Sequence, residues 1–246
     1  MRKKILAANW KMNLLQPEVD SWLAYYHSKS WEQQGVEVRI YPSSIYLKQL
    51  QNLPLHVGAQ NLYFENFGAF TGELSIDQLK SVGAASTLIG HSERRLIFAE
   101  NDALILNKVG ACARANFPFI LCCGETQQIR SKAEHQVFVV EQLKAHLEGF
   151  HTNQLHLLVI AYEPIWAIGS GLSADVTQIE EMHRTIRNFL ADKFGDLSKQ
   201  VPILYGGSVN ASNCAEIFAC PDVDGALVGG AALDPDSFYK LLQALD

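Results

Sequence analysis

The feature that most restricts the fold is the alternation of short apolar runs with longer amphipathic segments along the whole chain. Segments such as 133–147 and 176–194 place their apolar residues three or four positions apart, which predicts helices. A strand followed by a helix, repeated many times, predicts a parallel sheet. The apolar runs predict eight strands, at residues 5–8, 36–41, 56–59, 87–89, 119–122, 155–161, 203–205 and 226–228.

Eight such units in 246 residues predict an α/β fold of one kind, the closed (β/α)8 barrel. Two doubly wound domains would fit the same length, but no linker rich in Pro, Gly or Ser divides the chain. We therefore expect residues 1–246 to form a single domain. An apolar content of 48% agrees with an ordinary globular protein.

Charge and cysteine usage restrict the partners and the compartment. A net charge of −6 argues against a broad surface for nucleic acid or anionic membrane. The apolar run that follows the basic start stops at Asn9, too early for a signal peptide or a membrane span. The five cysteines lack the spacing of a metal site, and Cys122 and Cys123 lie in an apolar run, as small core residues do. We expect a cytoplasmic protein with reduced thiols and no metal.

Polar and glycine-rich segments follow the predicted strands, where barrels of this kind carry their chemistry. They are residues 9–13 after the first strand, 90–95 after the fourth, 162–171 after the sixth, 206–210 after the seventh and 229–232 after the eighth. One cavity is therefore predicted to receive Lys11, His91, Glu163 and several backbone amides.

Two glycine pairs predict a phosphate site. Without a Cβ atom, the turns at 206–207 and 229–230 allow backbone amides to approach an anion. Either pair alone would more often be a bare turn, but both follow the strands after which barrels commonly hold a phosphate. Ser208 has two compatible roles, a hydroxyl for the phosphate or a cap for a helix that begins near Asn210.

Glu163 is the predicted base, and an apolar loop follows it. An apolar loop after a rigid Pro164 suits a lid that closes over a ligand and excludes water. The alternatives are a structural salt bridge for Glu163 and permanent packing of the loop on a neighbouring subunit. The predicted lid contains Ile168, Gly169, Ser170 and Gly171.

His91 stands at the apparent start of a helix, whose positive end should keep the imidazole neutral and able to donate a proton. Lys11 would complement a phosphate and a developing oxyanion, with Asn9 orienting it. A structural histidine and an ordinary surface lysine are the alternatives.

Five segments of this chain, taken in order, resemble those of the triosephosphate isomerases. They are NWKMN at 9–13, GHSERR at 90–95, YEPIWAIG at 162–169, YGGSV at 205–209 and LVGGA at 227–231. The resemblance spans nearly the whole chain. It implies interconversion of dihydroxyacetone phosphate and D-glyceraldehyde 3-phosphate in glycolysis and gluconeogenesis, through an enediolate, without a metal or organic cofactor.

The same resemblance implies a role for each matching residue. Glu163 matches the base, and His91 matches the neutral electrophile that polarises the carbonyl group. Lys11 and Asn9 match the substrate-binding pair. Cys122 matches the cysteine of a Cys-x-Gly-Glu segment that ends here at Glu125, and Glu93 matches the acidic residue beside the site. The phosphate-binding group would comprise Gly169, Ser208, Gly229 and Gly230.

Residues 60–73 resemble the protruding loop through which members of this family form homodimers. The segment GAFTGE at 68–73 contains Thr71, Gly72 and Glu73, and Thr71 would lie near the partner's Asn9. Some residues depart from the family pattern, among them Ser170, Leu172 and Ser173 at the end of the lid and Cys123 in place of a common Ile. These departures affect expectations about lid kinetics rather than the reaction type.

Two rival functions remain open on sequence alone. A phosphate-binding aldolase of the same fold would use Lys11 to form a Schiff base, which borohydride would trap in the presence of substrate. A sugar-phosphate sensor would keep the phosphate site and lack turnover, which a coupled isomerase assay would reveal.

Overall fold

The computed structural model describes residues 2–33, 35–168 and 174–245. Within them, the strands are β1 (Lys4–Asn9), β2 (Val36–Tyr41), β3 (His56–Val57), β4 (Thr87–Ile89), β5 (Phe119–Cys123), β6 (Leu158–Tyr162), β7 (Ile203–Tyr205) and β8 (Gly225–Val228). All neighbouring strands are parallel, in the order β3-β2-β1-β8-β7-β6-β5-β4. A bridge between Ala59 and Thr87 joins the outer strands. The predicted (β/α)8 barrel is confirmed.

The helices surround this sheet. In the described part of the chain they are α1 (Gln16–His27), α2 (Leu47–Leu50), α3 (Ile76–Ser81), α4 (Ser92–Leu96), α5 (Asp102–Arg114), α6 (Gln127–Ser131), α7 (His135–His146), α8 (Val176–Phe194), α9 (Cys214–Phe218) and α10 (Pro235–Ala244). The longest, α8, begins with a capping box in which Asp175 and Gln178 satisfy each other's amides. None of the helices described is long and apolar enough to cross a membrane.

Most predicted elements are confirmed, and the differences have local causes. Helix 176–194 has the predicted bounds. The sixth strand begins at Leu158 rather than at residue 155, because residues 152–157 form 3₁₀ turns. The helix expected near Asn210 begins at Cys214. The helix expected from residue 133 begins at His135, since Ala133 has a φ of 58°, outside the helical range.

Alternating side chains of the strands divide the core into two parts. One part lies between the sheet and the helices and contains most of the large apolar residues. The other fills the barrel and consists of Ile5, Ala7, Tyr41, Leu88, Ile120, Cys122, Val159, Ala161, Leu204 and Leu227. Because the barrel is filled with side chains, a ligand has room only at its ends.

Ion pairs occupy the end of the barrel at which the strands begin, here called the amino-terminal end. Glu37 is paired with Arg39 and Lys3. Asp224 precedes β8 and accepts hydrogen bonds from Arg2 and from Arg187 Nη2, the latter at 2.7 Å. The side chains of Arg39 and Asp224 are almost fully buried.

Candidate active site

The predicted site residues converge at the opposite end, where the strands finish. A cavity of about 580 Å³ is lined there by residues that follow several different strands. Glu163 is buried, with 2% of its surface exposed, and lies directly behind His91. The predicted residues lining the cavity are Asn9, Lys11, His91, Ile168, Ser208, Gly229 and Gly230.

The carboxylate of Glu163 is held at the start of α4. Its Oε2 accepts a hydrogen bond from the Ser92 amide at 2.8 Å. Its Oε1 lies 3.2 Å from His91 Nε2 but has no hydrogen bond of good geometry among the described residues. A buried carboxylate oxygen without a hydrogen bond is costly, so this atom is available to another partner. The Ser92 contact was not predicted, because its donor is a backbone amide, which nearly every residue type has.

The orientation of His91 defines its protonation pattern. His91 is the N-cap residue of α4, and its Nδ1 accepts a hydrogen bond from the Glu93 amide at 3.2 Å. A nitrogen that accepts a hydrogen bond carries no proton, so in the neutral ring the proton is on Nε2. The ring therefore places its N–H donor at the cavity, beside Glu163.

Lys11 is tied to the loops around it. Its Nζ forms an ion pair with Glu93 Oε1 at 2.7 Å, and its amide donates to Asn9 Oδ1 at 3.0 Å. The Lys11 carbonyl accepts from Gln60 Nε2 at 2.8 Å, which helps to hold a backbone with a φ of 52°. Lys11 Cε lies 3.2 Å from the position that a Cβ atom on Gly229 would occupy. The lysine therefore lies beside the predicted phosphate-binding loop.

The two glycine pairs differ in what they contribute. The Gly206 amide donates to Tyr162 O at 2.7 Å, so it is not free for an anion as the sequence suggested. A Cβ atom on Gly206 would lie 2.8 Å from Glu163 Cγ, so this glycine makes room for the base. Gly229 and Gly230 line the cavity, as expected of an anion-binding turn.

Ser208 is not the helix cap that the sequence allowed. Its hydroxyl donates to Ala167 O at 3.1 Å, and the residue preceding α9 is Asn213. The cap was misplaced because α9 begins four residues later than expected. Ser208 lines the cavity and connects the loop after β7 to the loop after β6. Its remaining predicted role is as a ligand of the phosphate.

Glu125 anchors the loop that follows Glu163. Its Oε1 accepts hydrogen bonds from Tyr162 Oη at 3.0 Å, Trp166 Nε1 at 2.9 Å and Arg130 Nη1 at 3.1 Å. The Ile165 amide donates to Glu125 O at 3.1 Å. This anchor was missed because it depends on contacts between residues far apart in the sequence. The lid residues Gly169, Ser170 and Gly171, with Leu172 and Ser173, lie outside the described residues.

The thiols near the site are buried. Cys122 and Cys123 are at most 2% exposed, which confirms them as core residues. Burial, together with the nearby Glu163, holds the pKa of Cys122 well above its usual value. Both thiols are therefore protonated and poorly reactive. Within the described residues, no group of three His, Cys, Asp or Glu side chains is arranged to hold a metal ion.

A second cavity of about 330 Å³ adjoins the first and shares Asn9, Lys11, His91 and Glu93 with it. Its lining includes the exposed apolar side chains of Met12 and Phe98. The predicted dimer loop, residues 67–73, protrudes nearby, with Phe67 and Phe70 exposed. The Phe70 ring packs on Tyr63 with centroids 4.6 Å apart, which supports the loop. Thr71, Gly72 and Glu73 are all exposed.

Comparison with known proteins places these features in a family. The sequence model described as "Triosephosphate isomerase" matches residues 4–245. A protein of that name from Lactobacillus delbrueckii subsp. lactis is 43% identical over 250 residues, covering 100% of this chain and 99% of the relative. Another from Flavobacterium johnsoniae is 40% identical, with both chains fully covered. A third, from Streptococcus thermophilus, is 43% identical over 98% of each chain.

Proposed function

The chain belongs to the triosephosphate isomerase family, and from that premise we propose that it interconverts dihydroxyacetone phosphate and D-glyceraldehyde 3-phosphate with Glu163 as the base. The observation that carries the proposal is the Glu163 carboxylate, which has one buried oxygen without a hydrogen bond beside the Nε2 of His91. A base needs such a free oxygen within reach of the substrate proton. The reaction supplies intermediates to glycolysis and gluconeogenesis, and we expect it in the cytoplasm.

The proposed reaction has two proton transfers at adjacent carbons. Glu163 removes a proton from the carbon next to the substrate carbonyl, while the Nε2–H of His91 donates a hydrogen bond to the carbonyl oxygen. The charge that develops on this oxygen in the enediolate is stabilised by His91 and by Lys11, supported by Asn9. His91 Nε2 gives its proton to the charged oxygen and takes the proton of the hydroxyl group on the adjacent carbon. Glu163 then returns the carbon proton to the neighbouring carbon, which completes the exchange between ketose and aldose.

The phosphate group would bind between the loops after β7 and β8. Ser208, Gly229 and Gly230 line that part of the cavity, and Lys11 lies beside Gly229. Gly169 remains a predicted ligand on sequence grounds. Lys11 is paired with Glu93 and its side chain is 27% exposed, whereas an aldolase would need this lysine in a desolvated pocket to form its Schiff base. The site therefore supports the isomerase over that rival.

A coupled assay tests this proposal directly. The purified protein is given D-glyceraldehyde 3-phosphate, and dihydroxyacetone phosphate is measured through its reduction by an added dehydrogenase with NADH. We expect catalytic turnover by the unmodified protein and a large loss in His91→Gln. A folded protein that binds triose phosphate without turnover would be a sensor. Covalent trapping by borohydride would instead favour an aldolase.

The lid is proposed from the sequence of residues 165–171 and from Ile168, which lines the cavity. An enediolate with a phosphate on the adjacent carbon loses that phosphate readily when water has access. Deletion of residues 168–170 should therefore slow turnover and release methylglyoxal and inorganic phosphate. A slow variant that releases no additional phosphate would show that this segment only assists binding.

We also propose that the protein works as a homodimer. The second cavity adjoins the active site and exposes apolar side chains, which favours contact with another protein surface. In a two-fold dimer, the loop at 67–73 of each chain would enter this cavity of the other. Thr71→Arg should lower dimer content and activity together, whereas Val137→Arg, on the exposed face of α7, should change neither. A fully active monomer in sedimentation at the assay concentration would refute the dimer.

A further inference from the structure

Arg95 lies close to the active site but takes no part in the proposed proton transfers. It is near the end of α4, four residues after His91, and its side chain is only 12% exposed. Its guanidinium group contacts two backbone carbonyls. Nε donates to Gly90 O at 2.6 Å, and Nη2 donates to Cys122 O at 2.8 Å. The first carbonyl belongs to the residue before His91, and the second lies in β5.

These contacts take the place of one backbone hydrogen bond between β4 and β5. Hydrogen bonds between parallel strands recur every two residues. The Thr87 amide donates to Pro118 O at 3.2 Å. If the regular pairing of β4 with β5 continued for two more hydrogen bonds, the amide of residue 91 would donate to Cys122 O. The chain leaves the sheet at Gly90, where φ is 70°, and Arg95 supplies the donor to Cys122 O instead. A Cβ atom on Gly90 would lie 2.6 Å from Arg95 Nη2, so the glycine leaves space for the guanidinium.

Neighbouring carbonyls of β5 thus hold the two backbone segments that carry the reacting side chains. Cys122 O accepts from Arg95, which holds the chain just before His91. Cys123 O accepts from the Glu163 amide at 2.7 Å. The separation of His91 and Glu163 is therefore defined through one short piece of β5. A guanidinium group suits this role because its planar donors are fixed relative to each other.

Other elements fix Arg95 in turn. Its Nη1 lies 3.4 Å from Asp102 Oδ1 at the start of α5 and 3.4 Å from His146 Nε2 in α7. His146 Nε2 also lies 2.7 Å from Asp102 Oδ1. Burial, followed by the charge of Arg95, lowers the pKa of His146 to about 4, so that ring stays neutral near pH 7. The guanidinium is therefore joined to both strands and to two helices.

We propose that Arg95 is a positioning residue, which sets the His91 imidazole relative to the Glu163 carboxylate through the carbonyls of Gly90 and Cys122. This inference rests on the proposed roles of His91 and Glu163. Within the described residues, Arg95 has no hydrogen bond or ion pair with the loops after β7 and β8, so it acts on the chemical step and leaves substrate binding largely unchanged. Small displacements of reacting groups lower rates strongly, even when the groups themselves are intact.

The test is chemical rescue of Arg95→Ala. We expect kcat to fall by about ten- to a hundredfold, with KM changed by less than about threefold. Added guanidinium ion, at a concentration that does not denature the protein, should occupy the vacated site and raise kcat. Sodium chloride at equal ionic strength should not raise it. Arg95→Lys should fold and remain slow, because an ammonium group lacks the planar fork that spans both carbonyls.

Arg187→Ala is the matched control. Arg187 is equally exposed at 12%, and it also bonds a backbone carbonyl, through Nη1 to Val201 O at 2.6 Å. It lies at the amino-terminal end of the barrel, far from the site. Its loss should lower thermal stability without lowering kcat in the folded protein. Guanidinium ion should not raise the kcat of this variant.

Three outcomes would overturn the inference. They are an unchanged kcat in Arg95→Lys, a rise in KM as large as the fall in kcat, and a folded Arg95→Ala that guanidinium ion does not rescue. Failure of the proposed function is distinguishable, because the unmodified protein would then lack isomerase activity or His91→Gln would retain it. Active unmodified protein, impaired His91→Gln and unimpaired Arg95 variants together would reject this inference alone.

Discussion

The two ends of the barrel bury ionisable groups in opposite ways. At the amino-terminal end, both oxygens of Glu37 and both oxygens of Asp224 have cationic donors. At the other end, Glu163 is more deeply buried than Glu37, but one of its oxygens has no hydrogen bond among the described residues. Carboxylates whose oxygens are all paired suit a structural role, whereas the free Glu163 Oε1 lies beside His91 Nε2, where it is available for chemistry.

The pKa values at the amino-terminal end fit this contrast. Burial alone would raise the pKa of Glu37, but Arg39 and Lys3 hold it below its ordinary value. Burial, then the charge of Arg39, lowers the pKa of His56 to about 4. His56 Nε2 lies 2.7 Å from Ser86 Oγ, which is fully buried. Near pH 7, Glu37 and Arg39 are therefore charged and His56 is neutral, as expected of a structural cluster.

The largest expected effect is a loss of activity from a substitution at the active-site end of the barrel. Glu163→Gln should lower kcat by roughly a hundred- to ten-thousandfold, because proton abstraction loses its base. Affinity for a phosphate ligand should stay within a small factor, since Ser208, Gly229 and Gly230 are unchanged. Steady-state kinetics and calorimetric titration measure the two quantities. Turnover near that of the unmodified protein would remove Glu163 from the role of base.

The complementary change is Asp224→Asn at the amino-terminal end. It removes the carboxylate that pairs with Arg2 and Arg187, so the free energy of unfolding should fall by about 3 kcal/mol. The kcat of the folded protein should remain unchanged. Urea denaturation and the coupled assay give both values. If stability holds and kcat falls instead, the two ends are not separate in function.

The same end should make the protein sensitive to acid. The folded-state pKa of His56, about 4, lies below the value of about 6.5 for an exposed histidine, so the unfolded chain binds the proton first. The contribution of His56 is therefore present above pH 6.5 and is lost as pH falls toward 4, by at most about 3 kcal/mol. His56→Gln should flatten this dependence in urea titrations between pH 7 and 4. An unaltered slope would show that His56 is charged in the folded protein.

A smaller effect is expected from Lys11→Met at the active end. Loss of one charged donor should weaken glycerol 3-phosphate binding by about tenfold and lower kcat/KM at least as much. Thermal stability should change little, because Lys11 and its partner Glu93 are both partly exposed. Equal ligand affinity in the variant and the unmodified protein would contradict this role.

The barrel was predictable from the sequence because each strand is buried on both faces and reads as an apolar run. The ends of those runs also indicated where Asn9, His91 and Glu163 would meet. Contacts between distant residues were not predictable, such as the Ser92 amide on Glu163 or Glu125 beneath Trp166. They depend on side-chain orientation, which residue type alone does not specify.

Two predictions for single residues in the loop after β7 were wrong for the same reason. Gly206 was expected to offer its amide to an anion, but the amide belongs to the sheet and the missing side chain makes room for Glu163. Ser208 was allowed as a helix cap, but the helix begins later. In both cases the sequence indicated the loop, and the neighbouring strand decided what each residue does.

Proton exchange with solvent tests the central claim that Glu163 moves a substrate proton. Dihydroxyacetone phosphate is incubated with the protein in D₂O, and the product is examined by NMR for deuterium at the carbon that receives the proton. A carboxylate that holds the proton between two transfers allows exchange, so we expect deuterium in the product of the unmodified protein and little conversion by Glu163→Gln. Product formed without any deuterium, or equal labelling by Glu163→Gln, would contradict the account.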